Sequence, residues 1–193
     1  MKRLILIVAI LALLLCGCND SGAEQGSNDQ GGSQTANEED ASAVAEDDRT
    51  YTLDMYLQIG MGSTYEEVVA ITGSPGEASV DGDVIKQYLW TNDDGSNISV
   101  TFTDGKANAK TQAYLGPYLK GKDKVTAKLF RQLTEGSSLS EVENVLGPGT
   151  EMMRQIISGE ETVTYTWSNS DGSGITIVFE DDKAADINDL MLD

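Results

Sequence analysis

The chain has 193 residues, of which 32 are acidic and 13 basic, so its formal net charge is −19 at neutral pH. This charge excludes nucleic acid and anionic lipid headgroups as electrostatic partners and favours a basic partner. The chain contains no histidine, so it lacks both the commonest general base and the commonest metal ligand.

Residues 1–17 are predicted to be a lipoprotein signal peptide. Two basic residues precede an apolar run of about 12 residues, which is shorter than the roughly 20 that span a bilayer. The run ends in Leu15, Cys16, Gly17 and Cys18, an order that resembles the bacterial lipobox, where a small residue precedes the lipidated cysteine. Cys18 is therefore the predicted lipid-attachment site, with a diacylglyceryl anchor in the bilayer. We expect the chain at the extracytoplasmic face of a bacterial cell membrane.

Alternatives to this assignment stay open. Cys16 fits the lipobox less well because the bulky Leu15 precedes it, and an ordinary cleaved signal with two incidental cysteines would also fit the pattern. The sequence does not distinguish a Gram-positive from a Gram-negative envelope. Cleavage before Cys18 would leave 11 basic and 32 acidic residues, a net charge of −21. No cysteine follows Cys18, so an internal disulfide is excluded.

Residues 18–50 are predicted to be a disordered acidic tether. Between residues 19 and 50, nine residues are acidic, only Arg49 is basic, and Val44 is the only large aliphatic side chain. A segment with so little apolar surface cannot offset the entropy that ordering would cost. A flexible chain of this length reaches roughly 30 Å, which would hold the folded part away from the membrane.

The rest of the chain contains one pattern twice, predicted as repeat 1 over residues 51–115 and repeat 2 over residues 126–193, with a linker over 116–125. Both tryptophans and two of the three phenylalanines fall at matched positions, which indicates a duplicated unit. The offset is 74 residues in the helical part and 77 in the strands after it. The matched pairs are Gly62 and Gly136, Val68 and Val142, Gly73 and Gly147, Tyr88 and Tyr165, Trp90 and Trp167, and Phe102 and Phe179.

Each repeat is predicted to be two short helices packed on a four-stranded antiparallel meander sheet, an α+β fold with buried tryptophans. A helix over 54–59 precedes a capping box of Thr64 and Glu67, and the helix that this box starts ends at Gly73. A helix over 126–133 likewise precedes the box of Ser138 and Glu141. Alternating apolar residues and Asp-Gly turns predict strands over 77–80, 84–91, 98–103 and 107–114, and over 152–158, 162–168, 174–180 and 183–189.

The doubled motifs Ser/Thr-x-x-Glu-Val, Gly-(x)-Pro, Tyr-x-Trp and Phe-x-Asp resemble the tandem-repeat beta-lactamase inhibitory protein fold and related domains of Gram-positive lipoproteins. A single copy is similar to the small lipoproteins of the outer-membrane assembly machinery. The resemblance implies a concave sheet surface that clasps a protein, with an acidic hairpin of the first repeat inserted into an enzyme's active site. Asp83 best matches the inserted aspartate, but the disulfides of known inhibitors have no counterpart here.

The two repeats differ in the hairpin before the Tyr-x-Trp strand. From the helix-ending glycine to the tyrosine there are 15 residues in the first repeat and 18 in the second. Asp81 and Gly82 predict a two-residue turn in the shorter hairpin. Asp81, Asp83, Gly159 and Glu160 are the predicted partner-binding residues, and a merely solvated turn is the alternative for Asp83.

No pattern in the sequence predicts a catalytic residue, a metal site or a cofactor. A calcium loop places an acid five positions before its glycine, but Trp90 and Trp167 hold those positions before Gly95 and Gly172. We therefore expect a membrane-anchored module, not an enzyme, that binds a protein of the cell envelope. The alternative is a scaffold lipoprotein that maintains the structure of the envelope.

Overall fold

The computed structural model describes residues 49–192. The predicted signal peptide, Cys18 and the tether up to residue 48 lie outside the described residues and stay predictions. The described helices are α1 (Leu53–Gln58), α2 (Tyr65–Thr72), a 3-10 helix (Gly121–Asp123), α3 (Ala127–Phe130) and α4 (Leu139–Leu146). The strands are β1 (Glu77–Asp81), β2 (Ile85–Thr91), β3 (Asn97–Thr103), β4 (Lys106–Ala113), β5 (Thr150–Ile157), β6 (Glu160–Ser168), β7 (Gly174–Glu180) and β8 (Lys183–Leu190).

Local sequence signals determine where the two longer helices begin and end. The Thr64 hydroxyl accepts a hydrogen bond from the Glu67 backbone N–H at 3.2 Å, and the Glu67 carboxylate accepts one from the Thr64 N–H at 2.7 Å. Ser138 and Glu141 form the same box at the start of α4. Gly73 ends α2 with a φ of 76°, which a residue without a Cβ adopts at no steric cost. The predicted capping boxes and the helix stop are confirmed.

The eight strands form one antiparallel sheet in chain order. The elements α1 to β4, called the first half, meet the elements α3 to β8, called the second half, where β4 pairs with β5. In that pairing Ala109 lies opposite Gln155, Lys110 opposite Arg154, and Thr111 opposite Met153. The predicted α+β class and meander order are confirmed, although the two four-stranded sheets that we predicted are joined into one. Joining them pairs two strands that would otherwise expose unpaired backbone groups as sheet edges.

The helices cover one face of the sheet and bury its aromatic side chains. Trp90 and Trp167 are each 1% exposed, as predicted. Each indole N–H donates at 2.9 Å to a backbone carbonyl in the turn that ends the preceding helix, that of Ser74 or Gly147. The buried apolar residues are Tyr56, Ile59, Val68, Trp90, Ile98, Val100, Phe102 and Ala107 in the first half, and Val125, Val142, Leu146, Trp167, Ile175, Ile177, Phe179 and Ala184 in the second.

Two local predictions differ from the structure. The two-residue turn at Asp81 and Gly82 is wrong, because Asp81 pairs with Lys86 and β2 begins only at Ile85. An irregularity in register between Ala78 and Val80 shifts the pairing of β1 and so lengthens the connection. The helix predicted over 126–133 is also shorter, since α3 covers only 127–130.

The hairpin turns fall at two opposite ends of the sheet, because antiparallel strands reverse direction at every turn. The turns that follow β1, β3, β5 and β7 lie at one end, which we call the turn end; they comprise residues 82–84, 104–105, 158–159 and 181–182. The predicted partner-binding residues all lie at this end: Asp81 and Asp83 on the β1–β2 hairpin, called the first hairpin, and Gly159 and Glu160 on the β5–β6 hairpin, called the second hairpin.

Candidate functional site

The first hairpin at the turn end combines carboxylates with exposed aliphatic side chains. Asp81 lies 3.2 Å from the Lys86 ammonium, and the side chains of this pair are 72% and 47% exposed. Asp83 is exposed in the loop. The flanking Val84 and Ile85 are 55% and 50% exposed. The hairpin thus presents apolar groups beside acids that solvent or a partner can reach.

The second hairpin extends beyond its neighbours as a two-stranded arm, residues 156–161. The last β5 residue in register with β4 is Gln155, and the first β6 residue in register with β7 is Thr162. Residues 156–161 therefore pair only with each other. Positive φ values at Ser158 (55°) and Gly159 (85°) match the tight two-residue turn that favours glycine. The three additional residues of the longer hairpin are used to build this arm.

The structure brings the four predicted residues to one end of the sheet but not into one cluster. Asp81 and Asp83 belong to the β1–β2 hairpin, whereas Gly159 and Glu160 belong to the β5–β6 hairpin. Strands β3 and β4 lie between the two hairpins, so the hairpins are separated by three strand spacings, roughly 14 Å. A partner that touches both hairpins must therefore span at least about 14 Å, as a protein surface does.

A buried ion-pair network, which the sequence analysis did not predict, lies where the two halves meet. The Lys110 ammonium is 3.3 Å from Glu151 Oε1, with the two side chains only 3% and 4% exposed. Lys110 also donates to the backbone carbonyls of Tyr56 and Ile59, at 3.0 and 2.9 Å, at the end of α1. The Tyr56 hydroxyl donates to Glu151 Oε1 at 3.2 Å. These contacts tie α1 and β4 of the first half to β5 of the second.

Arg154 extends the network from the interior to the base of the arm. Its Nη2 donates to Glu151 at 2.8 Å and its Nη1 donates to Glu161 at 2.7 Å. Burial alone would raise the pKa of the Glu151 carboxyl, but hydrogen bonds from Arg154 and the charge of Lys110 outweigh it and hold that pKa below its ordinary value. Burial lowers the pKa of the Lys110 ammonium despite the neighbouring Glu151. Burial and then the Glu151 charge raise the pKa of Tyr56.

One sequence signal could have pointed to this network. Lys110 and Gln112 occupy buried positions on β4, on the same side of the sheet as Ala107. Polar residues at positions that should face the core require a partner, because an uncompensated buried charge is costly. The partner, Glu151, lies in the other half of the chain, and nothing in the local pattern identifies it.

The face of the sheet opposite the helices carries small polar side chains interspersed with apolar ones. Ser99 and Thr101 on β3 alternate with buried residues. They are half-buried, and so are Thr164 and Thr166 on β6. The aromatic residues of the described strands all lie on the helix side. Within residues 49–192 no three His, Cys, Asp or Glu side chains are grouped so that they could hold a metal ion. No helix in that same part of the chain is both long and apolar enough to span a bilayer.

The sequence profile of the family described as "Beta-lactamase inhibitor (BLIP)" matches residues 52–155, which is more than half of the chain. The chain belongs to the beta-lactamase inhibitor family. A crystal structure at 1.40 Å resolution of a "putative beta-lactamase inhibitor protein" from Streptococcus mutans has a similar fold, with a TM-score of 0.54 and 18% sequence identity. The similarity covers 72% of this chain and 88% of that one. At this identity it shows the fold alone. A search of curated proteins finds no match.

The region that matches the beta-lactamase inhibitor family contains some of the candidate residues but not all of them. Asp81 and Asp83 lie within the matched region, as do Lys110, Glu151 and Arg154 of the network. The arm at residues 156–161 begins just beyond it. The first hairpin and the buried network therefore belong to the part that resembles the family, and the arm belongs to the part that the profile does not describe.

Proposed function

We propose that this protein is a lipid-anchored module that binds another protein through the turn end of its sheet. The observation that carries the proposal is the exposure of aliphatic side chains on the first and second hairpins, two of the four at that end. Val80, Val84 and Ile85 on the first hairpin and Ile157 on the arm are 45–58% exposed. Exposed apolar groups that are rimmed by polar residues are typical of interaction surfaces.

The charges on the two hairpins support a basic partner. Asp83 on the first hairpin and Glu160 on the arm are exposed. Among residues 49–192 neither of them has a cation within ion-pair distance. The acidic excess of the whole chain adds a long-range attraction for cationic surfaces. Such complementarity raises the rate of association and discriminates among partners more than it raises affinity.

Membership of the beta-lactamase inhibitor family points to an enzyme of that class as the first partner to test. The assay is the hydrolysis of a chromogenic cephalosporin by a purified beta-lactamase, with and without the full chain purified in detergent. Inhibition that saturates with chain concentration and weakens in Asp83→Asn would support insertion of the first hairpin. If hydrolysis is unchanged at micromolar concentrations of the chain, the proposal is restricted to protein binding without inhibition.

We infer that Cys18 anchors the module to the extracytoplasmic face of the membrane and that residues 18–50 act as its tether. The order of a charged start, a short apolar run and a small residue before Cys18 supports the anchor. The acidic composition with little apolar content supports the tether. Together they would place the turn end at a distance from the bilayer, where it can meet a protein of the envelope.

We also infer that the two halves are copies of one folding unit. Both contain a helix with a Ser/Thr and Glu capping box and a tryptophan bonded to the turn after that helix. Both also contain an asparagine that bonds a distant backbone segment. Asn92 exchanges hydrogen bonds with the backbone of Tyr51, and Asn169 does the same with Val125. Matching long-range bonds of this kind are difficult to explain by shared topology alone.

A capture experiment tests the binding surface. The full chain, purified in detergent and immobilised, is exposed to envelope proteins that are then identified by mass spectrometry. Val84→Asn and Ile157→Asn should each weaken capture of the partner about tenfold or more, because the loss of a central apolar anchor costs about 2 kcal/mol or more. Leu57→Asn is the matched control, since Leu57 is 48% exposed but lies on α1. Equal capture by all three variants would favour the scaffold alternative.

A further inference from the structure

A cavity of about 260 Å³ opens on the helix side of the second half, near the turn end. Its apolar wall includes Leu139 at the start of α4 and the rings of Tyr165 and Phe179. The two rings meet edge to face, with centroids 5.7 Å apart. Its polar wall includes Glu161, Asp181 and Asp182. The cavity therefore combines an aromatic interior with a carboxylate rim.

The open space over Tyr165 follows from a difference between the two halves in the first residue of the longer helix. Tyr65 is the first residue of α2, and its ring stacks on Tyr88 with centroids 4.4 Å apart. It also meets Phe102 edge to face at 6.0 Å. Leu139 is the first residue of α4 and takes the corresponding position over Tyr165. A leucine has no ring to cover the tyrosine below it, so the space that Tyr65 fills in the first half stays open in the second.

The charges around the cavity favour a cation. Arg154 lines the cavity, but its guanidinium is bonded to both Glu151 and Glu161, so its positive charge is already balanced. Asp181 and Asp182 form the turn between β7 and β8, and neither carboxylate has an ion-pair partner among residues 49–192. Lys183 follows this turn but does not line the cavity. The rim therefore keeps uncompensated negative charge beside an aromatic lining, a combination that attracts cations.

We propose that this cavity receives a lysine or arginine side chain of the partner protein. The aliphatic stem would lie against Leu139 and the rings, and the cationic head would reach Asp181 and Asp182. At 260 Å³ the cavity lies below the range typical of sites for drug-sized ligands, which suits a single side chain. The inference rests on the proposed protein-binding role and adds the chemistry of one contact, adjacent to the base of the arm at Glu161.

The proposal can be tested without knowing the partner. The probe is n-butylammonium, which reproduces the stem and head of lysine, and n-butanol is the neutral control. The full chain, methyl-labelled with carbon-13 and purified in detergent, is titrated while the Val163 methyl signals are followed by NMR. We expect a saturable shift with roughly millimolar affinity, at least about fivefold stronger for the ammonium than for the alcohol. The difference should shrink as salt rises.

Two variants introduce, at a position in the second half, the residue that occupies the matched position in the first half. Leu139→Tyr should fill the cavity and abolish the shift at Val163. Asp182→Gly should weaken ammonium binding about two- to fivefold, and it should not harm folding, because Asp182 has a φ of 61° and its counterpart is Gly105. Tyr65→Leu is the control and should leave the Val163 response unchanged. Circular dichroism of each variant would verify the fold.

Equal affinity for n-butanol and n-butylammonium, or an unchanged shift in folded Leu139→Tyr, would overturn the cavity's assignment to a cation. The role in partner recognition would be overturned if the wild type binds n-butylammonium but Leu139→Tyr captures the partner as well as the wild type does. In that second case the proposed function would stand, because its own test depends on Val84 and Ile157. If Val84→Asn and Ile157→Asn lose capture while the wild type binds no n-butylammonium, the protein-binding proposal stands and the cavity's assignment to a cation is overturned.

Discussion

Replacing Glu151 by Gln should destabilise the fold more than any surface substitution of a charge. The change removes the carboxylate that lies 3.3 Å from the Lys110 ammonium but preserves the shape of the side chain. Lys110 would keep its two carbonyl acceptors on α1 and the Tyr56 ring, whose centroid lies 4.4 Å from Nζ. It would have no carboxylate of the described residues within ion-pair distance in a site where its side chain is 3% exposed.

The expected loss of unfolding free energy can be estimated from the contacts that Lys110 keeps in the variant. Breaking a buried ion pair by removing one partner costs about 3–5 kcal/mol, and the remaining carbonyl contacts place Glu151→Gln near the lower limit, at about 3 kcal/mol. Lys110→Met should cost less, about 1–3 kcal/mol, because Glu151 would still be bonded to Arg154 and Tyr56. Asp81→Asn breaks an exposed pair and should leave the free energy of unfolding unchanged within experimental error.

The assay is urea unfolding of residues 19–193, followed by tryptophan fluorescence. Trp90 reports on the first half and Trp167 on the second, and Trp→Phe variants at either position separate the two signals. The double variant Lys110→Met, Glu151→Gln should be more stable than the sum of the single losses implies, by at least about 1 kcal/mol. A loss below 1 kcal/mol for Glu151→Gln, or simple additivity in the double variant, would refute the importance of the network.

Three other outcomes follow from the same physical arguments. The stabilisation from the Glu151 carboxylate should be fully present above pH 4.5, the ordinary pKa of the group, and should be lost as pH falls through its lowered folded-state pKa. The difference in free energy of unfolding between wild type and Glu151→Gln should therefore shrink when unfolding is measured at increasingly acid pH. Ser138→Ala should lower the free energy of unfolding by about 1 kcal/mol in urea titrations, because α4 loses its N-cap; no change would show that solvent replaces the cap. Cys18→Ala should move the protein from the membrane to the soluble fraction on cell fractionation, and continued membrane association would disprove lipid anchoring.

The local elements of this fold could be predicted from the order of the residues. The capping box of Thr64 and Glu67, the helix stop at Gly73 and the alternation on β3 could be recognised because each depends on residues a few positions apart. The burial of Trp90 and Trp167 also followed from the repeated pattern. These features rest on local hydrogen bonds and on the period of the strand, which the order of residues states directly. The repeated motifs also carry the resemblance to the inhibitor family.

The way the two halves join, and the charges at their junction, depend on contacts between residues that are far apart in the chain. Tyr56 and Glu151 are 95 positions apart, yet they share a hydrogen bond, and no local pattern predicts a contact over that distance. The pairing of β4 with β5 forms a single sheet and brings Lys110 opposite Arg154. That register makes the buried charges compensate each other, and it sets the spacing between the two hairpins of the turn end. The pairing of distant strands is favoured when it buries apolar side chains and pairs buried charges throughout the chain. Both halves contribute to these contacts, so the local pattern of either half does not predict the pairing.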